Sequence, residues 1–96
     1  MDGNFKIFKD ETIGDTRYIS AYPAGVCSRQ IDIELKEGIV QNIRFYGGCS
    51  GNTQGIAALA RGRSAKELAE RLSGIRCGNK CTSCPDQLAR ILKSSV

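Results

Sequence analysis

The run Arg29-Gln30-Ile31-Asp32-Ile33-Glu34-Leu35 alternates strictly, with Ile31, Ile33 and Leu35 on one side of an extended chain and Gln30, Asp32 and Glu34 on the other. Such a strand is half buried, and its apolar side needs a second layer to cover it. Lys36-Glu37-Gly38 supplies a turn in which Gly38 takes positive φ. The segment IVQNIRFY then runs back, with Ile43 and Phe45 on a common face. The rest of the fold is read outward from this hairpin.

Upstream, FKIF at 5–8 alternates apolar and polar residues, and YISAY at 18–22 follows a polar link and leads to Pro23. Both read as edge strands. Downstream the period changes. After Gly47 and Gly48, the segment SGNTQGIAALARG carries Ile56, Leu59 and Ala60 at spacings of three and four, a helical stripe. Ser64 with Glu67 three residues on forms a capping box, opening a helix that shares Leu68 and Leu72 on one face and ends at Gly74. Pro85 suits a first helical turn that Ser83 or Cys84 caps, and Leu88, Ile91 and Leu92 form the apolar stripe of a third helix. The expected fold class is α+β: an antiparallel β-sheet followed by three helices, without the strand–helix alternation of doubly wound folds.

With 96 residues, the chain can bury one core but not two, so residues 1–96 are expected to form a single domain. Its six aromatics and lack of Trp leave a core of Ile, Leu, Val and Ala, thin enough that a metal crosslink would contribute to stability. Fourteen basic and ten acidic residues are spread along the chain, and this dispersion argues against a nucleic-acid stripe. The densest basic group, Arg61, Arg63, Lys66 and Arg71, has no interleaved aromatics and reads as solvated helix faces. No apolar stretch is long enough to span a bilayer and MDGNFKIF lacks a signal-peptide h-region, so a cytoplasmic protein with no membrane partner is expected. Exposed strand edges leave a homo-oligomer open, with no mark that fixes its symmetry.

Five cysteines in such a compartment stay reduced, and their odd number speaks against a fully paired disulfide framework. They fall at element ends: GVCS before a strand, GGCSGN between strand and helix, CGNKCTSC before the last helix. Thiolates bind zinc and iron because they are soft and anionic, and with no histidine in the chain any closed tetrahedral site must be dominated by cysteine. Cys81 and Cys84 form a C-x-x-C whose sulfurs can reach one ion, with Cys77 four residues upstream of Cys81. Cys49 and Cys84 each precede a helix, where the positive dipole end and free N–H groups favour a thiolate. Cys27, before a strand, stands evenly between ligand and small core residue.

Gly48, Gly51 and Asn52 around Cys49 form the candidate turn for cradling a nucleotide's phosphates, although neither a P-loop Lys-Ser/Thr pair nor a full G-x-G-x-x-G is present. Asp86, in the first turn of the last helix, is expected to satisfy amides and complement the dipole.

TSCPDQL at 82–88, with GVCS at 25–28, GGCSGNTQGI at 47–56 and GIRCG at 74–78, resembles the TSCPD domain family over nearly the whole chain from about residue 20. That family's domain also occurs appended to vitamin B12-dependent ribonucleotide reductases, and its stand-alone members often carry the label ribonucleoside-diphosphate reductase. The resemblance therefore implies a link to deoxynucleotide synthesis, but a chain this short cannot house a radical-generating barrel with substrate and cobalamin sites. It also implies Cys27, Cys49, Cys77 and Cys84 as four metal ligands. Cys81 departs from the family pattern and is either a spare thiol or a competitor of Cys27 for the fourth position. A weaker similarity of layout is to U-type iron–sulfur scaffold proteins, which place cysteines before a strand, in a glycine turn after a strand, and before a late helix.

Three readings follow. One is a zinc or iron–sulfur module accessory to ribonucleotide reductase. The second is a thiol–disulfide protein passing electrons through Cys81 and Cys84 to a reductase. The third is a nucleotide-binding regulatory domain.

Overall fold

The computed structural model describes residues 5–26, 28–47, 50–75 and 83–95, with residues 50–52 described by their backbone. Four strands come first: β1 (Lys6–Ile13), β2 (Thr16–Tyr22), β3 (Ser28–Lys36) and β4 (Ile39–Gly47). Three helices follow: α1 (Ser50–Ala60), α2 (Ala65–Leu72) and α3 (Cys84–Ser95). The strands form one antiparallel sheet in the order β1-β2-β3-β4. This is the α+β arrangement that the period change in the sequence predicts.

The alternation in β3 is realised as expected, with Ile31, Ile33 and Leu35 buried and Gln30, Asp32 and Glu34 on the other face. Lys36 pairs with Ile39, leaving Glu37 and Gly38 as a two-residue turn. Both have positive φ, 53° and 78°, as in a type I′ turn, whose twist matches that of the flanking strands. The other hairpin turns through Gly14 at φ 64°.

β4 does not alternate strictly, and a register shift explains why. Leu35 faces Val40 and Glu34 faces Asn42, so Gln41 is an extra residue on β4. The bulge resets the pleat, and Val40 and Ile43 both reach the core. A second shift, between Ile7 and Lys9, leaves Phe8 over in β1, where its ring stacks on Tyr22 at 4.3 Å on the uncovered face.

Three expectations are corrected. YISAY is not an edge strand: β2 pairs with β1 on one side and β3 on the other. The polar residues 9–12, which read as a link, continue β1 because a strand at the sheet's rim can keep such side chains in water. Leu59 is not part of the buried stripe of α1; it is 72% exposed. The inward face is instead Thr53, Ile56, Ala57 and Ala60, spaced at three and four residues, and Leu59 lies about 100° around the helix from Ala60.

All three helices take part in covering the apolar sheet face. α2 packs on α3, and α1 lies along β4. Leu88, Ile91 and Leu92 of α3 are fully buried in one core cluster with Ile19, Ala21, Ile31 and Ile33. Burial of each such side chain contributes about 1.5–3 kcal/mol. Ser64 caps α2, its Oγ accepting from Glu67 N at 3.1 Å. The link into that helix is sewn to β4: Val40 N donates to Arg63 O, Gly62 N to Val40 O and Ala65 N to Gly38 O, each at 2.8 Å. At the far end of α3, Arg17 Nη1 donates to the Ser95 carbonyl at 2.6 Å while its remaining nitrogens grip both carboxylate oxygens of Asp10. That contact satisfies a helix C-terminal carbonyl that has no intrahelical partner. Among the described residues no helix is long and apolar enough to cross a membrane.

Candidate functional site

The start of α3 is built to sit deep. Ser83 stands just outside the helix, and its Oγ accepts from Asp86 N at 3.2 Å while its carbonyl accepts from Gln87 N at 2.8 Å. Of the two capping residues the sequence offers, Ser83 is the one used. Pro85 costs nothing here, since first-turn amides lack intrahelical acceptors. Cys84, Pro85, Asp86, Gln87, Leu88 and Ala89 are all buried, so the first turn and a half of α3 is enclosed nearly all round.

Polar groups hold this enclosed turn. Asp86, 1% exposed, accepts from Gly74 N at 2.7 Å and pairs through its other oxygen with Arg90 Nε at 2.9 Å. It satisfies an amide as expected, that of Gly74, two residues past the end of α2. Gln87 Oε1 accepts from Ala24 N at 2.9 Å, tying the segment before β3 to α3. Ser83 Oγ also donates to the Ile75 carbonyl at 2.5 Å, so the two described residues bordering 76–82 meet.

Cys84 presents its Sγ to Ser28 Oγ at 3.0 Å, and the hydroxyl and thiol share a hydrogen bond in a buried setting. Ser28 is the first residue of β3 and pairs with Gly47, the last residue of β4. One place in the fold therefore collects the residue after position 27, the residue before position 48, and Cys84 with the closed base of 76–82. Sequence reasoning missed Ser28 as a partner of Cys84; the signal was its place beside Cys27 in GVCS, which nothing in strand periodicity distinguishes.

Of the expected ligands, Cys84 is described. Cys27, Cys49, Cys77 and the alternative Cys81 lie outside the described residues, as does Gly48 of the candidate phosphate turn. Gly51 and Asn52 belong to the first turn of α1. Among the described residues no group of three or more His, Cys, Asp or Glu side chains could hold a metal ion, and Cys84 is a free thiol. The local chemistry suits a sulfur ligand: the neighbour of Cys84 is a hydroxyl that can donate to a metal-bound thiolate, and the nearby Asp86 is already committed to Gly74 and Arg90.

On the uncovered sheet face, Asp32 accepts from Gln30 Nε2 at 2.8 Å and from Tyr46 OH at 2.9 Å. Burial works to raise its carboxyl, but hydrogen bonds from Gln30, Ser20 and Tyr46 outweigh it and hold the group below the ordinary aspartate range.

No curated protein and no solved structure matches the chain. The sequence model of the TSCPD domain matches residues 6–96, from the first strand to the last helix, and by that match the chain belongs to the TSCPD domain family.

Proposed function

We propose that this protein is a cytoplasmic metal-binding module, holding zinc or an iron–sulfur cluster through Cys27, Cys49, Cys77 and Cys84 and serving as an accessory to ribonucleotide reductase. The observation that carries the reading is the junction at Ser28. Its side chain touches Cys84 and its backbone pairs with Gly47, so the described ends of three cysteine-bearing segments meet at one corner of the sheet. Sulfur donors from three segments at one corner are what a closed tetrahedral site requires. Family membership supports the reductase context, and the resemblance of cysteine spacing to U-type scaffolds read from the sequence would suit a cluster as well as zinc.

Burial of Cys84 weighs against the thiol–disulfide reading, because an attacking thiolate needs access to its partner disulfide. The test is elemental analysis of protein purified without oxygen. Near-stoichiometric zinc or iron, lost in Cys49→Ser and in Cys84→Ser, is the expected result. Folded, metal-free protein with five titratable thiols overturns the proposal.

A further inference from the structure

A groove of about 400 Å³ runs between β4 and the flank of α1, and no cysteine is among its lining residues. Its polar lining is Asn42 and Arg44 from the strand and Thr53, Gln54 and Arg61 from the helix. No carboxylate lines it, and α1 carries no charged residue, so the local charge is that of two guanidiniums. Among the described residues neither arginine pairs with an acid. Asp32 sits across the sheet from Arg44, but its two oxygens are taken by Gln30 and Tyr46.

The two arginines are held by neutral groups instead. Arg61 Nη2 donates to Asn42 Oδ1 at 3.3 Å across the groove, and the Arg44 guanidinium sits 5.9 Å from the centre of the Tyr46 ring. β4 is an edge strand, so alternate main-chain groups along it point away from β3. The 62–65 link covers that edge only around Gly38–Val40, and the groove begins beyond it.

We propose that this groove binds a phosphoryl group, as borne by a nucleoside phosphate or a free pyrophosphate. Guanidinium forks match phosphate oxygens two at a time, and they favour such a site over one for a monovalent anion. The volume, at the low end for ligand pockets, accommodates the phosphates and leaves an attached nucleoside at the open mouth. This inference rests on no cysteine, so it stands or falls apart from the metal module.

The experiment is calorimetric titration of the whole chain with pyrophosphate, ATP and adenosine at low ionic strength. Saturable binding of pyrophosphate and ATP is expected, with adenosine silent. Arg44→Gln and Arg61→Gln should each weaken it at least tenfold, and Asn42→Asp should abolish it. All three positions are at least partly exposed, and an unchanged urea midpoint verifies folding. Lys66→Gln on α2, outside the groove, should bind as the parent does. Equal affinities for pyrophosphate and ATP would identify the phosphates as the whole determinant, and tighter ATP binding a nucleoside contribution; both support the site. No saturation at millimolar ligand, adenosine binding equal to ATP's, or a loss in Lys66→Gln matching that in Arg61→Gln would overturn it.

Discussion

Asp86, in the first turn of α3, accepts a hydrogen bond at 2.7 Å from the amide of Gly74, which lies two residues past the end of α2 with φ at 85°. One carboxylate thus locks the exit of one helix to the entry of the next, with Arg90 balancing its charge one turn on. Replacing Asp86 by Ala removes the acceptor of the Gly74 amide and the ion pair to Arg90. The expected cost is about 2–3 kcal/mol of unfolding free energy. Asp86→Asn, which keeps an oxygen for Gly74, should cost about half as much. Urea denaturation of the two variants side by side checks both values.

Glu37 sits at the first central position of the β3–β4 turn with φ at 53°, a conformation that side chains other than Asn, Asp or Gly adopt at a penalty. Glu37→Asn creates an Asn-Gly pair, the preferred sequence for this turn. It should raise stability by about 0.5–1 kcal/mol, read as an increase in Tm. A decrease would show that the turn is not of this type.

Asp32 gives the fold a defined acid sensitivity. Its folded-state carboxyl lies below the ordinary range, so its contribution is fully present above the unfolded-state value of about 4 and disappears as the pH falls through the lower folded value. Stability measured from pH 6 down to pH 2 should therefore fall more steeply in the parent than in Asp32→Asn. Tyr46→Phe, which removes one of the hydrogen bonds, should give an intermediate slope.

Ser28→Ala removes the hydroxyl beside Cys84 while keeping the strand pairing to Gly47. The fold should lose only about 1 kcal/mol. Metal retention should suffer more, because a hydrogen bond to a ligating sulfur tunes and orients it. Loss to a chelator about tenfold faster than in the parent is expected, followed by absorbance or by metal release.

Much of this was legible in the sequence where a periodic pattern and a turn signal agreed. The β3–β4 hairpin, the Ser64 cap and the Leu88, Ile91 and Leu92 stripe all satisfy local and tertiary demands with the same residues. Local pattern failed where pairing decided instead. β1 is a strand because β2 offers it a partner, although residues 9–12 have the composition of a loop. Val40 reaches the core only because Gln41 bulges out of register with β3. Leu59 read as core because apolar spacing in α1 admits two overlapping stripes, and only the position of β4 chooses between them. In the site, the capping serine could be read directly as one of two candidates. The Ser28–Cys84 contact could not, since it joins residues 56 apart through the packing of α3 on the sheet.

On the proposed function, sulfur from several stretches of this chain surrounds one metal. X-ray absorption at the zinc and iron edges of anaerobically purified protein measures that shell directly. A first shell made of sulfur at about 2.3 Å is expected, with about four scatterers per metal and a falling sulfur count in Cys84→Ser. A shell dominated by nitrogen or oxygen, or a folded protein with no edge signal at all, would contradict it.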